Sequence, residues 1–169
     1  MIEIIQKFED FVLKSSNLSI STLEKDAECD EYIGYNFNVN EFSIKFRKAK
    51  ITPKKVGQFV TLWKRNTAKQ TEPFHENDGF DYYIIAAEDD SKLGFYIFPK
   101  SILIEKNILS SIKKEGKRGF RVYPNWVKPE NKQAEKTQNW QQDYFVEVNN
   151  QQIDKTKLEK IFNKKRNSN

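Results

Sequence analysis

The spacing of apolar side chains changes period near Tyr35, and that change separates a helical N-terminus from a strand-rich interior. Residues 2 to 13 set Ile5, Phe8 and Val12 at i, i+3 and i+7 with Ile4 and Phe11 beside them, which predicts an amphipathic helix with its apolar stripe on the core. Residues 14 to 31 are Ser-rich and then acidic, show no period, and are expected to connect with at most one helical turn. From Tyr35 the period is two: Tyr35, Phe37 and Val39 alternate with asparagines, then Phe42, Ile44 and Phe46 alternate with Ser43, Lys45 and Arg47. An antiparallel hairpin is the simplest account. Ala49 and Ile51 fall out of phase with Phe46, so a bulge or strand end is expected near Arg47 and Lys48.

Further along, Phe59 to Trp63 is apolar on both faces, as a central strand delivering Lys64 and Arg65 would be. Tyr82 to Ala87 and Phe95 to Phe98 read as two more buried strands around the acidic turn Glu88-Asp89-Asp90. Ile102 to Ile112 is expected to be helical in part. A loop from Gly116 to Gly119, a short strand from Phe120 to Tyr123 stopped by Pro124, and a polar helix over 132–142 follow. Asp154 can cap a last helix, stapled by Ile153 and Leu158 and docked by Leu158, Ile161 and Phe162. The sum is an α+β fold, a central mostly antiparallel mixed sheet flanked by helices, with one domain over 1–149 and a basic C-terminal helix over 150–169.

Composition narrows the chemistry. The 169 residues include 13 Phe, 7 Tyr and 3 Trp, enough for a core despite a mean hydropathy of -0.80. One Cys and one His exclude a disulfide framework and a Cys/His zinc site, so a reducing cytoplasmic setting is expected. No apolar run reaches the roughly 18 residues a membrane helix needs, and Glu3, Glu9 and Asp10 stand where a signal peptide requires positive charge. Neither a membrane nor a cofactor is called for.

Net charge is only +5, but it is segregated. Residues 1 to 41 hold nine acids against three bases, 42 to 71 hold nine bases and no acid, and 72 to 90 hold seven acids and no Lys or Arg. Basic clusters return at Lys113 to Lys128 and from Lys155 to Arg166. Such blocks favour one face that attracts polyanions, with ordinary solvated surface as the alternative.

Catalytic constellations are weak. His75 lies in a turn-like acidic loop, and Cys29 sits among acids that disfavour a thiolate. Lys114 to Gly119 lacks the spacing of a nucleotide-hydrolysing loop and offers at most a phosphate contact. A metal-dependent nuclease on a restriction-endonuclease-like sheet could use Asp81 as its first acid and Lys100 as its lysine, yet Phe98 occupies the second acid's position. Bases interleaved with planar side chains are better represented: Arg47, Lys50, Lys55, Lys64 and Arg65 with Gln58 and Trp63, Arg118 and Arg121 with Tyr123 and Trp126, and Lys132 and Lys136 with Gln138 and Trp140. Cations displace counterions along phosphates, and planar groups stack on bases. Trp63 on a two-sided strand is more often core.

The run Phe46-Arg47-Lys48-Ala49-Lys50-Ile51-Thr52-Pro53-Lys54-Lys55, continuing through Gly57-Gln58 to Leu62-Trp63-Lys64-Arg65, resembles the MepB family. So do Phe98-Pro99-Lys100, the stretch from Glu115 to Pro124, and Lys136-Thr137-Gln138 with Trp140 and Tyr144; together these cover about 35–147. The resemblance implies a gene beside a multidrug efflux pump and its repressor, hence an association with multidrug resistance, and brings no established enzymatic activity to carry over. The reading is a non-enzymatic nucleic-acid-binding protein, its partner DNA or RNA. Arg47, Lys50, Lys55, Lys64, Arg65, Lys100, Lys117, Arg118, Arg121 and Lys136 are expected on phosphates, and Gln58, Gln138, Tyr123 and Trp140 on bases or sugars. The alternatives are a metal-dependent or degenerate nuclease on Asp81 and Lys100 and a small-anion or drug-binding module.

Overall fold

The computed structural model describes residues 2–166, with side chains through Phe162. The expected N-terminal helix is present as α1 (Glu3–Phe8), which widens into a π-helical stretch over Glu9–Leu13. Its apolar stripe buries Ile4, Ile5, Phe8, Val12 and Leu13. Phe8 sits within 5.1 Å of the Phe95 ring, 6.1 Å of Phe46 and 6.3 Å of Phe37, centroid to centroid.

The segment expected to connect instead contains β1 (Ile20–Lys25), paired antiparallel with β2 (Tyr35–Val39). Its register slips between Ser21 and Glu24, where Thr22 takes φ 49°. The hairpin of β2 with β3 (Phe42–Lys48) forms as the alternation predicts, Phe37 opposite Ile44. After Lys48 the period breaks because the chain changes sheets: Ala49 donates to the Ala86 carbonyl at 2.9 Å, and β4 (Lys50–Ile51) joins a second layer. There β4 pairs with β5 (Gln58–Thr61), and β6 (Trp63–Arg65) pairs with β7 (Thr71–Pro73) as a separate ribbon. The apolar run from Phe59 to Trp63 is therefore split between two small sheets, and Trp63 is half-buried rather than core.

The chain then returns as β8 (Tyr82–Asp89), parallel to β3, and turns into β9 (Lys92–Pro99). A parallel pair requires a long crossover, which the second-layer excursion supplies. Pro99 starts α2 (Lys100–Glu105), which ends well short of Ile112. β10 (Gly119–Val122) adds to the outer edge of β5, α3 (Lys132–Gln141) follows with Asn131 as its cap, and β11 (Phe145–Val148) completes the main sheet. No alternation over so short a run marked β11 beforehand. α4 (Lys155–Arg166) begins where Asp154 accepts the Lys157 amide at 3.1 Å, and docks through Leu158 and Ile161 with Phe162 stacked 5.9 Å from Phe42. The side chains of Lys164, Lys165 and Arg166 lie outside the described residues.

The result is an α+β fold of three layers. A six-stranded sheet, ordered β1-β2-β3-β8-β9-β11 and antiparallel except at β3-β8, forms the middle. One face packs α1 and α4 through Phe37, Phe46, Ile84, Phe95 and Ile97. The other presents Tyr83, Ile85, Tyr96 and Phe98 to the small sheets, α2 and α3. Truncating a ring such as Phe8 at the centre of the first face would cost about 3–5 kcal/mol.

Candidate nucleic-acid interface

The free edge of β10 organises the site. Leu62 N donates to the Arg118 carbonyl at 2.8 Å, and this fixes the parity of the ladder with β5. Phe120 and Val122 therefore turn their backbone groups to β5, while Lys117, Gly119, Arg121 and Tyr123 turn theirs outward. The outward set is partly occupied. Lys117 N donates to Ile108 O at 2.9 Å, and the fully buried Gln141 of α3 bridges the strand, donating to Arg121 O at 2.9 Å and accepting from Tyr123 N at 3.0 Å. One amide side chain thus stands in for a missing strand and holds α3 against β10. The Gly119 and Arg121 amides point into the space that remains. Position 119 has no room for a side chain, since a Cβ there would lie 2.6 Å from the Phe59 ring.

Two concavities meet at Phe120 and Arg121. One, of about 280 Å³, lies between β10 and α3 and takes Lys106, Lys117, Tyr123 and Trp140 into its wall. The other, of about 670 Å³, runs over the β4-β5 connection past Lys54, Lys55 and Phe59. Lys54, Lys55, Lys106, Lys117 and Arg121 thus line two adjoining concavities, together called the groove below; among the described residues no carboxylate lines either, and the Glu130 carboxylate lies beside them on Val56 N at 3.0 Å. Arg121 is anchored: its guanidinium donates to Val56 O at 3.2 Å and to Thr52 Oγ1, which leaves its outer side facing both concavities. The Lys106 ammonium rests 5.6 Å from the Trp140 ring, whose other neighbour is Phe98 at 5.5 Å. A groove with clustered cations, inward-pointing amides and aromatic walls can hold phosphate oxygens and flat rings.

Not every expected residue joins it. Arg47 is 1% exposed, donates to Asp26 Oδ2 at 2.5 Å and to Phe46 O at 2.8 Å, and so cannot meet a phosphate. Gln58 is buried with its amide on Glu88 O at 3.3 Å, and Gln138 spends its amide on Pro124 O and Val127 O at 3.1 and 3.0 Å, fixing the loop before α3. Both are structural in this fold. Lys64 is tied to Asp78 at 2.8 Å. Lys50 leans over the Tyr32 ring at 4.7 Å and Arg65 over Trp63 at 5.2 Å, and neither is among the residues that line the two concavities. Arg118 donates to Thr71 O at 3.1 Å beside the β6-β7 ribbon, and Lys136 is exposed on α3 outside the groove wall. Lys55, Lys117, Arg121, Tyr123 and Trp140 are the expected residues that converge. Lys54 was present within the recognised motif and Lys106 stood in a helix tail with no pattern; both are brought in by the fold.

A second cluster gathers at the β8-β9 end. Asp81 accepts the Ser43 amide at 2.8 Å, and Lys100 N donates to Asp81 O at 3.0 Å, so the two expected nuclease residues are neighbours. Lys100 Nζ donates to Asp78 O, while the Asp78 carboxylate accepts His75 N at 2.7 Å and Lys64. Burial pushes the Asp78 carboxyl up, but the His75 amide and the Lys64 ammonium outweigh it and hold it below the ordinary value. Phe98 is buried against Tyr96 and Trp140 where a second acid would be needed, and among the described residues no three His, Cys, Asp or Glu are grouped to hold a metal. Cys29 is buried, its Sγ 3.6 Å from Thr61 Oγ1. Burial and Arg47 together lower the pKa of Lys45, whose ammonium lies over the Phe74 ring at 4.6 Å.

Fold and groove together define a three-layer α+β protein with a basic concavity at a strand edge. The MepB-like family profile matches residues 26–147, and the chain belongs to that family. It is similar to the protein of a solved structure described as the crystal structure of MepB, with 34% identity, a TM-score of 0.77, and coverage of 88% of this chain and 99% of that one. A bacterial homing endonuclease, I-Ssp6803I, aligns at 13% identity and a TM-score of 0.45 over 81% of this chain and 82% of its own. No curated protein matches. Among the described residues no helix is long and apolar enough to cross a membrane.

Proposed function

We propose that this is a non-enzymatic, cytoplasmic nucleic-acid-binding protein that holds the phosphate backbone in the groove along β10, in the setting of a multidrug efflux operon. The observation that carries the reading is the convergence of Lys54, Lys55, Lys106, Lys117 and Arg121, from separate stretches of chain, around two inward-pointing amides, with no carboxylate among the described lining residues. Cations held this way replace condensed counterions, and affinity then depends on salt. If all five meet phosphates, log affinity falls with log salt at a slope of about -4.5 on duplex and about -3.5 on single strands. Fluorescence anisotropy with labelled single- and double-stranded DNA and RNA across a salt series measures it. A flat dependence overturns the proposal. Competition by mononucleotides as strong as by long strands would favour a small-anion module instead. The metal-dependent nuclease on Asp81 and Lys100 predicts cleavage with magnesium or manganese that Asp81→Ala abolishes.

A further inference from the structure

The loop between Leu109 and Arg118 hangs from the groove, leaving it at Ile108 and returning at Lys117, both of which line the first concavity. Ile112 at its tip is 94% exposed, against 57% for Ile51 and 37% for Ile2. Single exposed apolar residues are ordinary on a protein surface, so exposure alone does not mark a site. This one projects almost wholly into solvent, so it contributes nothing to the core.

The loop is also built rigidly. Ser110 N donates to Phe74 O at 2.8 Å and Glu76 N to Ser110 O at 2.9 Å, pinning the base. Ser111 N donates to Lys114 O at 2.9 Å, closing a turn with Ile112 inside it, and Gly116 N donates to Ser110 Oγ at 2.8 Å. Gly116 is pressed so close that a Cβ would lie 2.3 Å from Ile108 O. An apolar tip held by this many bonds is preorganised, and little ordering entropy remains to be lost on contact. Lys113 and Lys114 follow Ile112, Lys117 faces the groove, and the only acid of the loop, Glu115, is drawn to Arg118 at 3.5 Å. Ile112 lies four positions beyond Ile108, at most about 14 Å of chain.

We propose that Ile112 is a wedge that enters the base stack of a polynucleotide held in the groove, with Lys113 and Lys114 on the flanking phosphates. The proposal rests on the nucleic-acid reading above. A single protruding aliphatic group between cations suits insertion at one base step, which unstacks it and bends the strand. An anionic lipid surface would call for a broader apolar face.

The test compares the unmodified protein with Ile112→Ser and Ile112→Leu on duplex and single-stranded oligonucleotides carrying 2-aminopurine, alongside anisotropy over a salt series. The unmodified protein should raise 2-aminopurine fluorescence several-fold. Ile112→Ser should lose most of that rise and about five- to tenfold in affinity, with the salt slope and thermal midpoint unchanged, and Ile112→Leu should restore both. Binding without any rise, or a rise that survives Ile112→Ser, overturns the wedge while leaving the groove intact. Absence of binding to every oligonucleotide overturns the nucleic-acid reading itself. Loss of binding to phosphatidylserine vesicles in Ile112→Ser, with oligonucleotide binding unaffected, assigns the tip to a membrane and also overturns the wedge.

Discussion

Arg47 and Arg121 are the same residue type, both lie on strands within or beside the recognised basic motifs, and the fold uses them in opposite ways. Arg47 is sealed inside against Asp26, whereas Arg121 is braced on two backbone-proximal acceptors with its outer side in the groove. The same division runs through the other cations. Lys64 is neutralised by Asp78, and Lys48 and Lys7 by Glu88, while Lys54, Lys55, Lys106 and Lys117 meet no carboxylate in the groove wall. A cation count therefore overstates a binding face, because part of the positive charge neutralises acids inside the same fold.

The sharpest way to break this comparison is Arg47→Met. Removing one partner of a buried ion pair strands the other, and a loss of about 3 kcal/mol is expected, read as a fall in the urea midpoint. The folded fraction should bind nucleic acid as before; a binding loss larger than the loss of folded protein would put Arg47 back in the interface. Gln141→Leu comes next, since it leaves Arg121 O and Tyr123 N without their bridge, at about 2 kcal/mol. Unlike Arg47→Met, it should also weaken binding, because the wall of the groove moves with α3.

Acid should expose the internal pairs selectively. Burial pushes the Glu88 carboxyl up, but Lys48 and Lys7 outweigh it and hold it below the ordinary glutamate value, as His75 and Lys64 do for Asp78 against the ordinary aspartate value. The unfolded chain then takes up protons that the folded chain refuses. The stability these pairs contribute is present above those ordinary values and lost as pH falls through the lowered ones. Denaturant titrations between pH 6 and 3 should show this decline, and Glu88→Gln should flatten it. Smallest on stability are Lys106→Ala and Lys117→Ala, expected within about 0.5 kcal/mol of the parent. Each should instead reduce the magnitude of the salt slope by about 1.

The parts of the fold that were legible share one property: each face of the strand is uniform in character along its length. The hairpin of β2 with β3 and the two-sided strands β8 and β9 announce themselves because each face is wholly apolar or wholly not. β1 did not, because it lies at the sheet edge with only Ile20 and Leu23 turned inward and a register slip between Ser21 and Glu24. The break after Lys48 was visible as lost phase, but only the structure shows that it transfers the chain to another layer. In the candidate site, Lys117, Arg121 and Trp140 were legible as bases beside planar groups. Arg47 misled because its partner, Asp26, lies in a stretch without period, and Gln138 because an amide in a polar helix looks the same whether it binds a base or a loop carbonyl. Lys106 acquires its place where the end of α2 meets α3, its ammonium over the Trp140 ring, a long-range contact no local pattern encodes.

The slipped register of β1 has a consequence for crowded solutions. A regular outermost strand would offer its unpaired N–H and C=O groups to a second copy of the chain, and copies could add one after another. Here the left-handed backbone at Thr22 breaks that row, and the charges of Glu24 and Lys25 guard its end. The large sheet thereby offers a blunted template for self-assembly on this side.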